Sequence, residues 1–417
     1  MAISQNFPEE GPTLNLNFAG SKVLDPRITF SRSSVGTYMD ANGLVATASA
    51  DGPRFDHRYV NGEVESLGLL VEEQRTNLVT NNEDLSLWEL NSNPTLNSNN
   101  TVSPDGNTTA DKVTQTNQVY TGVSTEMSGI TTNTIYSCSV FIKPDGDTTT
   151  RFGFYDTANW QGSLDTNWSS GEPSTNGSLG GASDIVYEEY PNGWYRVSFK
   201  APTQSNPFAG TISFHCHPDR TGTGKSAWFW GAQLEQGQFL TSYIPTSGST
   251  VTRNHDRAYY ENVDQTDWFS KTEGTVVFEH TDVPYDSSDN PHYPVVGFAE
   301  TSNGGGTYSI GCNFTKNTAR LQYLVRQNNS NIAVVNLEGT ENVGAKVGFV
   351  YKEDDYALVR NGSLIGTDSS GAVPDAYMLV FGMNNIANTG NNWNAHLKNF
   401  QYYPTRLSNT VLQNLTK

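Results

Sequence analysis

Short stretches in which apolar and polar residues alternate recur along most of the chain. One spans residues 14–18, and another spans residues 136–143, where every second residue is apolar or a cysteine. Alternation with a period of two places successive side chains on opposite faces of a β-strand. A helix start is predicted only near the C-terminus, where Ser408 is suited to cap residues 408–415. The pattern therefore predicts an all-β chain.

Turn sequences separate the predicted strands. Residues 40–43 (Asp-Ala-Asn-Gly) and the pair Asn361-Gly362 each stand between two strand-like runs. Asn and Gly readily adopt the positive φ angles of tight turns, so both sites predict β-hairpins. Residues 165–181 are rich in Ser, Gly, Asn and Thr, and they predict a polar loop.

The chain divides into three regions with different sequence patterns. Residues 1–80 hold an arm and a hairpin, whereas residues 81–258 and 259–417 each hold short strands at a spacing typical of sandwiches and jelly rolls. We predict an all-β fold: an N-terminal arm and hairpin segment, followed by two β-sandwich (jelly-roll) domains. The N-terminal segment is expected to pack on the first sandwich or to anchor it.

Charge and composition narrow the possible partners. The formal net charge is −18, and such a surface repels phosphate backbones, so no nucleic-acid partner is expected. The N-terminus lacks the basic and apolar parts of a signal peptide, and no apolar run is long enough to span a bilayer. We therefore expect synthesis in a cytoplasm and no membrane insertion. The three cysteines are far apart, predict neither a disulfide framework nor a zinc site, and are expected on strands.

The first region carries two distinctive stretches, TFSRSSVGTYMDANGLVATASADGPRFDH and the later GLLVEEQRTNLV. Together they resemble a segment found in structural proteins of tailed bacteriophages. The matching positions are Phe30, Arg32, Thr37, Tyr38, Asp40, Gly43, Pro53, Arg54, Phe55, Leu69, Glu72, Gln74, Arg75, Thr76 and Asn77. The resemblance implies a virion protein exposed on the particle, of the head-fibre, capsid-decoration or tail-fibre type. It also implies other virion proteins as partners and a homo-oligomer, with a trimer favoured.

The other two regions also carry recognisable stretches. NGWYRVSF (192–199) and residues 229–256 are similar to a carbohydrate-binding-module jelly roll, and residues 356–367 and 397–416 are similar to a laminin-G or concanavalin-like lectin sandwich. These resemblances imply host-surface polysaccharide as a possible partner. They also imply a possible structural Ca²⁺, and no other cofactor is indicated.

Four charged residues of the first region are candidates for a structural clamp. Arginine forms two-pronged pairs with carboxylates, so we predict that such pairs hold the N-terminal segment on the jelly roll. An anionic-sugar site is the alternative interpretation. The clamp residues are Arg32, Arg54, Arg75 and Glu72.

Binding and metal candidates lie in polar, turn-rich sequence. Exposed aromatic rings stack on sugars, so Trp160, Trp168 and Trp393 are candidate glycan contacts, with core packing as the alternative. Carboxylates in turns can hold Ca²⁺, although solvated turns have the same composition. The calcium candidates are Asp145, Asp147, Asp286 and Asp289. His215 and His217 share one strand face, but no third metal ligand is evident.

We find no sequence motif for catalysis. Adjacent acids such as Glu188-Glu189 point to opposite faces of a strand, so they cannot flank a glycosidic bond as a glycosidase pair does. The leading hypothesis is a non-enzymatic phage surface protein that contributes to glycan adhesion or particle stabilisation. The alternatives are a phage-borne polysaccharide depolymerase and a free bacterial lectin or adhesin.

Overall fold

Strands make up most of the chain in the computed structural model, and helices contribute only a small part. The structure describes residues 8, 11–116, 118, 120–169, 172–204, 208–220, 224–284, 292–300, 309–315, 320–327, 330–338, 343–383 and 393–417. Within these ranges, no helix has the length and apolar character needed to cross a membrane. The predicted all-β class is confirmed.

The strands are numbered in chain order. Residues 1–80 contribute β1 (Leu14–Leu16), α1 (Phe18–Ser21), β2 (Thr29–Ser31), β3 (Gly36–Met39), β4 (Val45–Ala48), β5 (Phe55–Val60), β6 (Glu63–Val71) and β7 (Arg75–Asn77). The middle of the chain contributes β8 (Glu89–Asn91), β9 (Thr95–Thr101), β10 (Ala110–Thr114), β11 (Gly122–Met127), β12 (Ile135–Pro144), β13 (Thr149–Tyr155), β14 (Trp160–Asn167), β15 (Ser174–Leu179), β16 (Ser183–Tyr190), β17 (Trp194–Pro202), β18 (Ile212–His217) and β19 (Ser226–Gln236).

The last part contributes β20 (Val251–Arg253), β21 (Arg257–Glu261), β22 (Glu273–His280), β23 (His292–Ala299), β24 (Ile310–Thr315), β25 (Arg320–Gln327), β26 (Ser330–Leu337), β27 (Ala345–Lys352), β28 (Tyr356–Arg360), β29 (Ser363–Asp368), β30 (Met378–Phe381), β31 (Ala395–Tyr403) and α2 (Asn409–Leu415). Single turns of 3-10 helix lie at Leu85–Leu87, Pro191–Gly193 and Val263–Gln265.

Two six-stranded antiparallel sheets form the central sandwich. One has the order β16-β17-β12-β19-β10-β9, and the other has the order β15-β14-β13-β18-β11-β8. Strand β12 follows the predicted alternation, because Tyr136, Cys138, Val140 and Ile142 all lie in the core between the sheets. Its opposite face is also buried, since Phe141 packs in a second aromatic cluster.

The C-terminal sandwich also has two large sheets. One has the order β29-β28-β27-β22-β31-β6-β5, with β1 paired to β31, and the other has the order β2-β21-β30-β23-β24-β25-β26. All pairings in both sheets are antiparallel. Their inner faces enclose the largest apolar core of the described residues.

The N-terminal segment joins both sandwiches. Strands β1, β2, β5 and β6 belong to the sheets of the C-terminal sandwich, and β7 pairs with β20. The hairpin β3–β4 contacts the central sandwich instead, because Met39 and Val45 pack with Phe141, Trp230 and Tyr243. The segment that we predicted on the first sandwich therefore lies between the two and contributes strands to the second.

Locally encoded elements agree with the sequence analysis. Strands β3 and β4 pair across the turn at 40–43, and β28 and β29 pair across Asn361-Gly362, whose φ angles are +46° and +75°. Ser408 caps α2 by accepting a hydrogen bond from the Val411 N–H. All three cysteines are free and buried, on β12, β18 and β24.

The predicted polar loop at residues 165–181 is wrong over most of its length. Strand β14 continues to Asn167, and β15 occupies Ser174–Leu179. Strand β15 is an edge strand whose side chains are largely exposed, so its polar sequence is compatible with pairing through the backbone alone.

Candidate functional site

Four rings meet on the outer face of the central sandwich, where β13, β14 and β18 lie side by side. Alternation along β18 sends Phe214 and Cys216 into the core and leaves His215 and His217 outside. Their rings stack at 5.7 Å with an interplanar angle of 10°. The strand register places β13 between β14 and β18, so that Trp160 comes close to both histidines.

We call these four residues, Tyr155, Trp160, His215 and His217, the aromatic face. Trp160 lies at the centre, with its ring 5.3 Å from Tyr155, 5.5 Å from His215 and 6.0 Å from His217 between centroids. Tyr155, Trp160 and His215 are half-buried, whereas His217 is buried. Partial exposure of Trp160 leaves ring surface available to a ligand.

A charged group borders the aromatic face. Arg151 bonds Asp165 through both its Nε and its Nη2, with 2.8 Å between Nη2 and Oδ2, and Arg220 reaches the same carboxylate at 3.3 Å. The Arg151 guanidinium also lies 5.3 Å from the centroid of the Trp160 ring. This cation–π contact and the paired carboxylate fix the orientation of the indole.

Small and polar groups lie beside the rings. Gly153 pairs with both Ser163 and His215, and a Cβ at Gly153 would approach the Gly162 carbonyl oxygen to 2.2 Å. Ser163 Oγ and His215 Nδ1 have no hydrogen-bond partner among the described residues. Both atoms are buried, so the partly exposed rings are the surface that the face offers to a ligand.

Both histidines of the aromatic face stay neutral at physiological pH. Burial, together with the neighbouring His217, lowers the pKa of His215 to about 3. Burial also lowers the pKa of His217 to about 4, although its hydrogen bond to the Thr121 carbonyl opposes the shift. The face therefore presents neutral rings to a ligand across the whole range in which the protein is expected to work.

The three candidate tryptophans have different surroundings. Trp160 is part of the aromatic face, as the prediction of an accessible ring requires. Trp168 is only 4% exposed, and its Nε1 donates to Thr150 Oγ1 at 2.9 Å. Trp393 is fully buried in the core of the C-terminal sandwich. The last two rings are therefore unavailable for stacking on a sugar, because sheet and core side chains cover them.

Three of the four clamp candidates gather around Asp256, a residue that the sequence analysis missed. Arg32 Nη1 lies 3.0 Å from one oxygen of Asp256, and Arg54 binds the other oxygen. Arg54 also pairs with Glu72 at 2.7 Å, and Arg253 approaches Glu72 at 3.5 Å. We call these five residues the ion cluster; each is nearly inaccessible to solvent.

The ion cluster affects the protonation of its members. Burial alone would raise the pKa of Glu72, but Arg253 and Arg54 hold it well below its usual range. Burial alone would lower the pKa of Arg54, but Asp256 and Glu72 raise it. Arg75, the fourth clamp candidate, lies outside the cluster: it pairs with Glu73 and packs 5.0 Å from the Phe239 ring centroid.

Of the four calcium candidates, two lie in the part of the chain that the structure describes and two lie outside it. Asp145 binds the Lys112 ammonium at 2.7 Å and the Ser226 hydroxyl at 2.6 Å, so a cation already occupies its carboxylate. Asp147 is exposed. Asp286 and Asp289 lie outside the described residues. Within the described ranges no three His, Cys, Asp or Glu side chains form a metal-binding group, and calcium stays a prediction.

The sequence analysis did not identify Tyr155, Arg151, Asp165 or Arg220 as site residues. The signal for the first two is the alternation Arg-Phe-Gly-Phe-Tyr in β13, which sends Phe152 and Phe154 inward and the other three outward. The pairing of β13 with β14 and β18 was not visible in the sequence, because it joins strands separated by up to about sixty residues.

Comparisons with known proteins found partial likenesses in structure. Neither known protein families nor curated proteins give a match. A carbohydrate-binding module, CBM40, of the Ruminococcus gnavus IT-sialidase bound to α2,3-sialyllactose is 15% identical, with a TM-score of 0.31, over 38% of this chain and 91% of that one.

Two other solved structures are similar over part of the chain. Trypanosoma rangeli sialidase in complex with the inhibitor DANA is 11% identical, with a TM-score of 0.30, over 56% of this chain and 43% of that one. A heptameric SAP-like pentraxin from Limulus polyphemus is 18% identical, with a TM-score of 0.26, over 35% and 70%. At this level the likeness concerns the type of fold alone.

Proposed function

We propose that this chain is a non-catalytic, glycan-binding protein displayed on the surface of a bacteriophage particle. The observation that carries the glycan-binding part is the aromatic face. A half-buried tryptophan lies there between a half-buried tyrosine and a half-buried histidine. Partly exposed aromatic rings stack on the apolar face of a sugar.

The non-catalytic part of the proposal is supported by the state of the nearby carboxylate. Asp165 is bound by two guanidinium groups, those of Arg151 and Arg220, so it is held as an ion-pair partner. A general acid in a glycosidase needs a carboxyl whose environment favours the protonated form. Incubation with a bound polysaccharide should therefore release no new reducing ends, and their release would favour the depolymerase alternative.

Glycan binding is tested with a glycan array and titration calorimetry on the full chain. Trp160→Ala should weaken binding about tenfold, which corresponds to roughly 1.4 kcal/mol of lost ring contact. The matched control is Trp228→Ala, which removes a half-buried tryptophan from the other sheet of the same sandwich. Equal binding by wild type and Trp160→Ala, or an array without any positive glycan, would contradict the proposal.

The particle location is supported by the resemblance of residues 29–79 to phage structural proteins. Immunogold labelling of intact particles, with an antibody raised against the full chain, tests it directly. Label on the capsid or the tail would support the proposal and would also distinguish a head protein from a tail protein. Unlabelled particles from a preparation that contains the chain would refute it, whatever the result of the glycan array.

A further inference from the structure

A cavity lies where the N-terminal segment, the central sandwich and the C-terminal sandwich meet, and no residue of the aromatic face lines it. Its volume is about 440 Å³, within the range of roughly 300–1,000 Å³ for small-molecule sites. Strand β5 contributes Asp56 and His57, strands β16 and β17 contribute Glu188 and Arg196, and β31 contributes His396. We call it the junction cavity. It exists only when the N-terminal segment and both sandwiches are assembled.

Arg196 supplies hydrogen-bond donors to the junction cavity. Its residue is only 5% exposed, and its guanidinium packs 5.6 Å from the Phe141 ring centroid. Nε and Nη2 are both buried and lack a hydrogen-bond partner among the described residues. A buried guanidinium is costly unless its N–H groups are bonded, so these two atoms are suited to an acceptor on a ligand.

Glu188 supplies an acceptor beside Arg196. The two residues are direct cross-strand partners on β16 and β17, and their charges interact without a hydrogen bond between them in the described structure. Burial raises the pKa of Glu188, although Arg196 opposes the shift. A carboxyl and a guanidinium that lie side by side, each with free capacity, can bind the same small ligand.

His57 supplies a further hydrogen-bonding atom. Its Nδ1 lies 2.9 Å from the Met39 carbonyl oxygen, which can only accept, so Nδ1 carries a hydrogen. Its Nε2 is buried without a partner among the described residues. Next to it, Asp56 is already satisfied by the Met39 N–H at 2.7 Å and by His396 Nε2 at 2.8 Å.

The mixture of donors and acceptors identifies the class of ligand. A carboxylate or phosphate group would match Arg196, but its negative charge would face the Glu188 carboxyl. A metal ion would be repelled by Arg196. Hydroxyl groups both donate and accept, and Tyr190 and Phe239 offer apolar surface in the same cavity. We propose that the junction cavity binds one neutral sugar unit, held by Arg196, Glu188 and His57.

This proposal is independent of the aromatic face, since the two sites share no residue. The neutral sugar could be a free monosaccharide or the terminal unit of a polysaccharide chain, and both present the same hydroxyls. Binding to the full chain is measured by saturation-transfer NMR and calorimetry. The probes are D-glucose, D-galactose, D-mannose and N-acetyl-D-glucosamine at up to about 10 mM, ten times a Kd of ~1 mM. D-glucuronate and a tetrasaccharide of each neutral sugar complete the panel.

At least one neutral sugar should bind, as the free unit or as the tetrasaccharide, and the form that binds identifies the source. Glu188→Ala and Arg196→Lys should each weaken it tenfold or more, whereas Glu189→Ala should bind like wild type; Trp160→Ala is measured beside them to report on the aromatic face. Glu189 is the matched control, because it points to the opposite face of β16. Thermal unfolding and near-UV circular dichroism show that the variants remain folded, and Glu188→Ala decides the test if Arg196→Lys does not fold.

Three results would overturn the proposal. One is the absence of binding by every neutral probe, the second is unchanged binding in both cavity variants, and the third is tighter binding of D-glucuronate than of all neutral sugars. Loss of binding in Trp160→Ala alone would assign the sugar to the aromatic face. The two sets of variants therefore show separately whether the junction cavity binds a sugar and whether the aromatic face does.

Discussion

At the scale of single residues, Glu72 is bound by several partners at once. Its carboxylate accepts from Arg54, from the Ser242 N–H at 2.7 Å and from the Ser242 hydroxyl, and it lies close to Arg253. Removal of one partner from a buried ion pair leaves the opposite charge without compensation in a poorly solvated place. The cost of such a change is much larger than the net value of the pair.

Glu72→Gln should lower the free energy of unfolding by about 3–5 kcal/mol, because it leaves two buried guanidinium groups with less compensation. Urea unfolding followed by tryptophan fluorescence measures the change. Glu65→Gln is the control, since its partner Arg58 is half-exposed and such pairs contribute less than about 1 kcal/mol. Equal losses in the two variants would show that the ion cluster contributes no more than a surface pair.

The lowered pKa of Glu72 also makes stability depend on pH. Its carboxyl binds a proton more weakly in the folded chain than in the unfolded chain, whose pKa is near 4.5. The stabilisation is therefore complete above that value and is lost as the pH falls toward the folded pKa. Between about pH 5 and 2, wild-type stability should fall more steeply than that of Glu72→Gln, and parallel curves would contradict this.

The residues of the site show what a sequence can and cannot reveal at this scale. Arginines in the N-terminal segment are recognisable as ion-pair partners from their type and their low-charge surroundings. Asp256 is not, because about two hundred residues separate it from Arg32 and Arg54. Trp393 follows two asparagines in the sequence, yet tertiary packing buries it completely. The exposure of a side chain depends on which strands pair with its own. The pattern of polar residues along a single strand does not determine that pairing.

At the scale of elements, the hairpin β5–β6 connects the N-terminal segment to the C-terminal sandwich. Gly68 lies in β6, opposite β31, with a φ of +92°. A Cβ at this position would come within 2.2 Å of the Leu397 carbonyl oxygen. Only glycine allows the two backbones to approach this closely.

Gly68→Ala should destabilise the chain by roughly 3 kcal/mol, through the steric conflict with β31 and the unfavourable positive φ. Gly62→Ala is a matched control in the turn of the same hairpin: its φ is +86°, but the nearest atom to an added Cβ is 3.9 Å away. Its cost should be near 1 kcal/mol. Chemical unfolding measures the free energy of unfolding of both variants. Equal losses would show that the close approach of Gly68 to β31 does not affect stability.

Elements encoded by local sequence were predictable, and those encoded by pairing were not. Both hairpins and α2 depend on residues within a few positions of each other, such as Asn361-Gly362 and Ser408. Strand β15 is polar and exposed, and its strand character comes from backbone bonds to β14. Composition alone therefore gives a loop at this position.

At the scale of the whole molecule, the N-terminal segment covers an aromatic surface of the central sandwich. Met39, Val45 and Tyr59 pack against Phe141 and Trp230 on the outer side of one sheet. Exposure of a contiguous apolar patch of this kind promotes association between molecules. The central sandwich is therefore incomplete without the first part of the chain.

A fragment of residues 81–258 should bind the dye ANS and self-associate, whereas the full chain should do neither through this surface. Dye fluorescence and size-exclusion chromatography at matched concentrations measure the difference. The comparison is a fragment of residues 30–258, which restores Met39 and Tyr59. It tests whether these residues prevent dye binding and self-association by covering the aromatic surface. A monomeric 81–258 fragment without dye binding would show that the central sandwich is self-sufficient.

The central position of β31 has a consequence for synthesis of the chain. This last strand pairs with β1, β6 and β22, and its register joins Leu14 to Tyr402. At roughly 5–20 residues per second, a ribosome makes Tyr402 about 20–80 s after Leu14. During that interval the edges of β1 and β6 that pair with β31 have no partner strand. A messenger truncated before β31 yields a chain that cannot close this sheet. Synthesis of β31 is therefore required before this sheet can close.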